Sequence, residues 1–340
     1  GGKRLRVVAR DYVLAAGGIE NPRLLLASRS VMPDGLGNQH DQVGRYFMEH
    51  PHARGGRIVD GEAWRLLKAF SKRRSGDTSI AALIAPSAAM QAREGILNTS
   101  LTIAGRRPAT GRESWGMRAY LHAKHSMDPN QAGRTLWKGV KRAVGWAQRH
   151  VDPFRPWALN RMGQLDVALV VRAEQAPNPD SRVRLSRERD ATGMPRVSLD
   201  WQTSAIDVDS VEALVRALDR ETRRLGLGKV EPAAWLSDPS RSWATDPLIS
   251  AHPIGGYHHI GTTRMSANPR QGVTDGHGRV HGIDNLHVAG SSLFPTSGWA
   301  NPTLSIVALA LRTADRILDI QSADTGADGD ARMPAFAAAS

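Results

Sequence analysis

The chain has 340 residues, 41% of them apolar and 23% charged, so it can bury a real core as two ordinary domains or one large one. It contains no cysteine, which excludes disulfides, zinc–cysteine sites, iron–sulfur clusters and thiol nucleophiles. The formal net charge of +12 admits nucleic acid or an anionic lipid surface as a partner, but the arginines are scattered, which favours a solvated basic surface.

Residues 5–16, LRVVARDYVLAA, read as strand-like, and Gly17-Gly18 as a turn. Asn21-Pro22 predicts a helix N-cap followed by a first-turn proline, with RLLLAS (23–28) supplying a helical turn or two. Strand, glycine turn, helix is a common arrangement in nucleotide-binding sheets. Residues 29–44 read as a loop, and 45–58 lead through YFMEHPH towards a second strand. Residues 65–76 are basic, and 96–104 alternate as a strand. Residues 134–150 have helical spacing at Leu136, Val140 and Val144 with a basic opposite face. That pattern suits a surface helix with its stripe on the core better than a helix lying on a membrane or an acidic partner.

Residues 165–172, LDVALVVR, read as a buried strand, with further strands at 182–186 and 196–201 separated by turns, an antiparallel meander. A helix over 206–225 gathers Val208, Val211, Leu214, Val215 and Leu218 on one face. NLHVAGSS (285–292) reads as strand into glycine turn, and 302–318 as a helix with Leu304, Val307, Ala308, Leu311 and Ala314 on one face. From 321 the residues are small and polar, which predicts disorder. No stretch approaches the roughly 20 apolar residues of a spanning helix. No repeat and no signal peptide are visible, and the start at Gly1 reads as internal. These pieces predict one α/β domain split by an inserted, sheet-rich domain.

Chemistry concentrates near the end. In GGYHHIGTTRMS (255–266), a metal is a poor explanation of His258 and His259. Neighbours in a strand point to opposite faces, and no histidine or carboxylate at i+2 or i+4 completes a ligand set. Alternate pointing would instead let one histidine face a pocket as a general base while the other packs behind it. A purely structural histidine is the bland alternative, though it leaves the surrounding glycines unexplained. Asn301-Pro302-Thr303 before an apolar helix is what capping alone would produce. The same helix start is also an anion site, and Ser297, Gly298 and Ala300 leave room for a flat ligand. VAGSS (288–292) could bring backbone N–H groups against a phosphate or ribityl chain, yet no G-x-G-x-x-G follows the first strand.

Five segments together resemble the glucose–methanol–choline (GMC) oxidoreductases. They are LAAGGIENPRLLLAS (14–28), VGRYFMEHP (43–51), YHHIGTTRM (257–265), RVHGIDNLHVAGSSLFP (279–295) and TSGWANPTLSIVALALRTADRI (296–317). RAEQAPNPDSRVRLS (172–186) matches loosely. The chain looks most similar to bacterial FAD-dependent sugar and polyol dehydrogenases and pyranose-oxidase-like members, which share an Asn at the start of the last helix.

The resemblance implies a mixed α/β fold: part of an FAD-binding Rossmann-like domain interrupted by an antiparallel-sheet substrate domain. Residues 1–52 would be a flavin-domain segment, 53–250 the substrate-binding domain, 251–320 the returning flavin segment with the catalytic residues, and 321–340 a disordered tail. The N-terminal pyrophosphate-binding unit is then missing from this chain, which reads as a C-terminal portion whose partner is the rest of the same protein. The implied activity is FAD-dependent oxidation of an alcohol, polyol or sugar hydroxyl by hydride transfer to flavin N5. His258 would accept the hydroxyl proton, His259 would pack behind, and Asn301 would hydrogen-bond the same oxygen. Gly290, Ser291 and Ser292 would line the cofactor together with Asn21, while the N–H groups of Thr303 and Leu304 would face the flavin pyrimidine oxygen. A quinone or cytochrome acceptor follows from the likeness to the dehydrogenases; neither a metal nor nucleic acid does. A bacterial cytoplasm or periplasm suits the chain equally. The alternative is an inactive fragment of the same fold kept for binding or assembly; the presence of both His258 and Asn301 favours the enzyme.

Overall fold

The computed structural model describes residues 6–109, 131–151, 154–246, 249 and 257–327. Strand β1 (Tyr12–Leu14) pairs in parallel with β10 (Leu286–Val288), Tyr12 opposite Leu286 and Leu14 opposite Val288. Parallel partners need a long crossover, and here the crossover is most of the chain. The two flanking segments read as one domain therefore do meet. Their shared core comprises Leu25, Leu26, Val43, Val273, Val280, Leu286, Val288 and Leu293.

Helix α1 (Gly17–Ala27) begins directly after β1 at Gly17, whose φ of 86° suits glycine alone. The expected turn at Gly17-Gly18 and the expected cap at Asn21-Pro22 are both corrected by this, because Pro22 lies inside the helix. Proline removes the N–H that would bond the carbonyl of Gly18. The Thr262 hydroxyl takes over that carbonyl at 2.6 Å. Asn21 is fully buried, accepts from the Ala16 N–H at 2.8 Å, and donates to Ala289 O and Ser292 Oγ.

Between the flanks lies a four-stranded antiparallel sheet, ordered β5 (Ser100–Arg106), β6 (Asp166–Arg172), β2 (His52–Val59), β9 (Lys229–Pro232). Val208, Val211, Leu214, Val215 and Leu218, the stripe expected from the sequence, join its core with Leu101, Leu169 and Val171. They belong to a helix over Ala205–Arg224, started by a capping box between Ser204 and Asp207. The further elements are α2 (Ala63–Phe70), the hairpin β3 (Arg73–Ser75) and β4 (Thr78–Ile80), α3 (Ala88–Glu94), α4 (Gln131–Val151) and α5 (Arg155–Arg161); on α4 the stripe expected on the core is not buried, Leu136 being 61% exposed. The long helix is α6, and the last, Thr303–Ala327, is α7.

The expected meander is not formed. Strand β6 joins the four-stranded sheet, whereas β7 (Arg182–Arg189) and β8 (Pro195–Asp200) pair only with each other. After β6 the chain runs along residues 43–51 instead of turning back. Ala173 N–H donates to Pro51 O at 3.0 Å, Phe47 N–H to Ser181 O at 2.8 Å, and Val183 N–H to Gly44 O at 2.8 Å. Helix α7 continues past residue 321, where composition alone ends it; residues 328–340 of the expected tail, like Gly255 and Gly256, lie outside the described residues. Among the described residues no helix is long and apolar enough to cross a membrane.

Candidate active site

The site forms where residues 43–51 run against 257–263. Met48 and Ile260 exchange both backbone hydrogen bonds, at 2.9 and 3.0 Å, in an antiparallel bridge. Side chains alternate on either side of that bridge. His258 meets His50 edge to face, ring centroids 5.0 Å apart, whereas His259 tilts against buried Phe47 at 5.5 Å. The two histidines are thus unequal. His259 is also clamped from behind: its carbonyl accepts from Ser291 Oγ at 2.6 Å, and a Cβ added to Gly18 would stand 2.4 Å from the same oxygen. That is why helix α1 carries glycine at this contact.

Glu49 organises both segments. It is fully buried, and its Oε1 accepts from the N–H of His50 at 2.9 Å. The N–H of His258 donates to both of its oxygens, at 3.0 and 2.8 Å. Its own N–H donates to Gln175 Oε1 at 2.9 Å, and Trp201 Nε1 donates to the same oxygen. Burial raises the carboxyl to about 7 despite these donors.

Arg172, the last residue of β6, reaches across to the catalytic candidates. Its Nη2 donates to Asn301 Oδ1 at 2.8 Å and lies 3.1 Å from His258 Nδ1. Residues 86 and 129 positions along the chain from Arg172 thus meet at one guanidinium nitrogen. Burial first, and the Arg172 charge second, lower the pKa of His258 below its ordinary 6.5. The same two causes, in that order, hold His50 down at about 3 and His52 at about 4. The imidazoles facing Arg172 are neutral near pH 7.

Beside Asn301 opens a cavity of about 310 Å³, bordered by Ile260, Met265, Ser297, Gly298, Asn301 and Pro302. A Cβ at Gly290 or Gly298 would meet nothing within 4 Å. Leu304, in the first turn of α7, is 83% exposed. Gly290, Asn301, Thr303 and Leu304 therefore border open space, whereas Ser291 is half-buried with its hydroxyl on the His259 carbonyl. Ser292 and Asn21 do not border it: both are buried, and they hydrogen-bond each other at 2.9 Å. They shape the backbone behind the open face.

Glu49, His50 and His258 each bring a ligand atom within 4.8 Å of the others, the spacing of a metal set. The local partners argue otherwise. Both Glu49 oxygens accept backbone N–H groups, and His258 Nδ1 faces a guanidinium, which repels a second cation.

Sequence reasoning passed over Glu49, His50, His52 and Arg172. Arg172 carries a faint signal, a charge closing the apolar run Val167–Val171. Glu49 and His50 sit inside a quoted motif, but nothing local distinguishes them from surface polar residues.

Residues 177–310 match the family model described as GMC oxidoreductase. The 6'''-hydroxyparomomycin C oxidase of Streptomyces lividus is 29% identical over 96% of this chain and 48% of its own length. The fructose dehydrogenase large subunit of Gluconobacter japonicus is 26% identical over 92% of this chain and 48% of its own. A solved structure of Aspergillus oryzae formate oxidase aligns with a TM-score of 0.41 and 20% identity, over 90% of this chain and 53% of that one. The chain spans about half the length of the curated relatives it matches.

Proposed function

The chain belongs to the GMC oxidoreductases and matches their C-terminal portion, and from that premise we propose that it carries the catalytic face of an FAD-dependent oxidoreductase acting on the CH–OH group of an alcohol, polyol or sugar. One observation carries the reading: His258 and Asn301 converge on a single hydrogen-bonding point, at 3.1 and 2.8 Å, now taken by Nη2 of Arg172. A substrate hydroxyl at that point would touch both.

The residues fit FAD. The missing Cβ atoms of Gly290 and Gly298 leave flat, open backbone. The start of α7 turns the positive end of a long helix towards the cavity bordered by Gly298, Asn301 and Pro302. Gly290, Ser291, Thr303 and Leu304 would hold the cofactor, with Asn21 and Ser292 bracing the turn from behind. When bound, FAD takes up the hydride that leaves the substrate carbon.

The chain's own groups manage the proton. His258 is neutral, so a ring nitrogen can accept the hydroxyl proton, a contribution worth roughly 10²–10⁴-fold. Asn301 orients the oxygen through its amide. Glu49 fixes the backbone of His258, and His259 packs against Phe47 and holds the turn.

The test is to express the complete reading frame, isolate the protein, and record its visible spectrum before and after anaerobic addition of alcohols, polyols and sugars. Flavin bands that bleach on addition support the reading. A colourless protein, or bands that no CH–OH compound bleaches, sinks it.

A further inference from the structure

Arg172 is a half-buried cation with no counter-charge in contact: burial lowers its pKa, and Glu49, acting at a distance, only partly opposes that. Among the described residues no carboxylate forms an ion pair with it, and its Nε is buried with no hydrogen-bond partner. Buried guanidinium groups are ordinarily paired, because desolvation without compensation is costly. Its two hydrogen bonds both use Nη2, and both go to neutral groups, His258 and Asn301. The guanidinium fork has donors to spare.

The other charges near it do not cancel it. His50, His52 and His258 face it as neutral rings. Glu49 is the acidic group beside the cluster, and its carboxylate is turned to the backbone N–H groups of His50 and His258. Burial also raises Glu49 to about 7, so near neutral pH it is partly protonated. What stands where His258 and Asn301 converge is therefore a cation whose Nη2 bonds only neutral groups and whose nearest acidic group is partly protonated.

We propose that Arg172 is the specificity-determining residue of this site, selecting hydroxyl compounds that carry a carboxylate within one or two carbons of the reacting carbon, as hydroxy acids and uronic acids do, and rejecting protonated amines. This rests on the oxidoreductase reading for the placement of the hydroxyl. A carboxylate matches the guanidinium fork with two parallel charge-assisted bonds. In taking them, Arg172 releases His258 Nδ1 to accept the hydroxyl proton and frees the Asn301 amide to turn and donate its Nδ2–H to the same oxygen. A neutral sugar offers only weaker acceptors, and an ammonium group meets like charge in a poorly solvated place.

The experiment uses the flavin-loaded complete protein and titrates it with glucuronate, glucose and glucosamine, reading binding by calorimetry and by perturbation of the flavin spectrum. Glucuronate is expected to bind at least about tenfold more tightly than glucosamine, with glucose between them. Arg172→Gln should collapse that spread, Arg172→Lys should keep its sign with a smaller size, and Arg172→Glu should invert it. If the glutamine variant does not retain flavin, the lysine variant and salt still decide: the preference must shrink as salt rises from about 20 to about 200 mM. A wild-type preference below tenfold overturns the proposal, as does one that survives Arg172→Gln or ignores salt. His258→Ala separates the two readings, since it should abolish flavin reduction yet keep the glucuronate preference. A protein that binds glucuronate selectively but whose flavin no hydroxyl compound reduces keeps the anion site and loses the oxidoreductase reading.

Discussion

The backbone N–H of His258 donates to both carboxylate oxygens of Glu49, at 3.0 and 2.8 Å. The same carboxylate accepts the N–H of His50 at 2.9 Å, so one buried side chain ties together two segments far apart in the chain. Removing it leaves two buried N–H donors without an acceptor. Glu49→Ala is expected to destabilise the fold by about 3 kcal/mol, since hydrogen bonds to a charged group contribute about 1.5–3 kcal/mol each. Glu49→Gln, which keeps one acceptor oxygen, should lose about half as much. Urea denaturation measures both, and an alanine variant as stable as wild type would refute the role.

His258 and His259 should respond differently to the same change. His258→Ala is expected to slow flavin reduction by roughly 10²–10⁴-fold while leaving the melting temperature nearly unchanged. His259→Ala removes a ring packed on Phe47 and should act mainly on stability, by about 1–3 kcal/mol. Stopped-flow reduction and thermal denaturation, run on both variants, decide it; the opposite pattern would exchange their roles.

The pH dependence of flavin reduction follows from the neutral state of His258. Burial, and then Arg172, lower its pKa from 6.5. The ascending limb should therefore lie below pH 6.5, with the rate flat above it. Removing the charge with Arg172→Gln takes away the second cause and should move the limb upward. A limb that stays in place in that variant means Arg172 does not govern the base.

Stability should climb with pH on the acid side. A histidine with a depressed folded pKa contributes stability that is full above its unfolded value and lost as pH falls through the folded one. His50, at about 3, and His52, at about 4, both behave this way against an ordinary 6.5. Glu49 runs the other way. Raised from 4.5 to about 7, its contribution is present below 4.5 and lost as pH rises through 7. Asp207, raised to about 6, and Glu174 run with Glu49, so the carboxyls offset much of the histidine contribution between 4.5 and 6, and the denaturation midpoint should rise most steeply below pH 4.5. His52→Gln should flatten that climb, and Glu49→Gln should steepen it between 4.5 and 6.5.

Gly18→Ala tests the contact behind the site. The new Cβ would stand 2.4 Å from the carbonyl oxygen of His259, which is backbone and cannot rotate away. Overpacking of this kind costs about 1–3 kcal/mol, and here the shift would also move His258 away from Arg172 Nη2. Lower stability together with slower flavin reduction is expected. Wild-type values for both would show that α1 does not position the histidines.

Legibility in the sequence followed the range of the forces involved. The stripe of α6 was readable because Val208, Val211 and Leu214 recur at the helical period against one sheet. The strand ending at Arg172 was readable from an apolar run. Asn21-Pro22 misled because a local cap signal was overridden at a distance, by Thr262 supplying the donor that Pro22 lacks. The meander failed for a similar reason, since residues 173–183 bond to 44–51 and not to β6. His258 and Asn301 were legible through the family likeness of their motifs, whereas Glu49 and Arg172 have significance only through their partners.

By itself the sequence determined the absence of thiol chemistry, the helix and strand periods, and the glycine-flanked histidine pair and helix start that mark the family. These are properties of composition and of near neighbours along the chain. The tertiary structure alone decided that His259 packs while His258 faces Arg172, that Glu49 holds both segments, and that one guanidinium nitrogen bonds both His258 and Asn301. Burial and Coulomb interactions depend on distances between residues remote in sequence, and no local pattern encodes those distances.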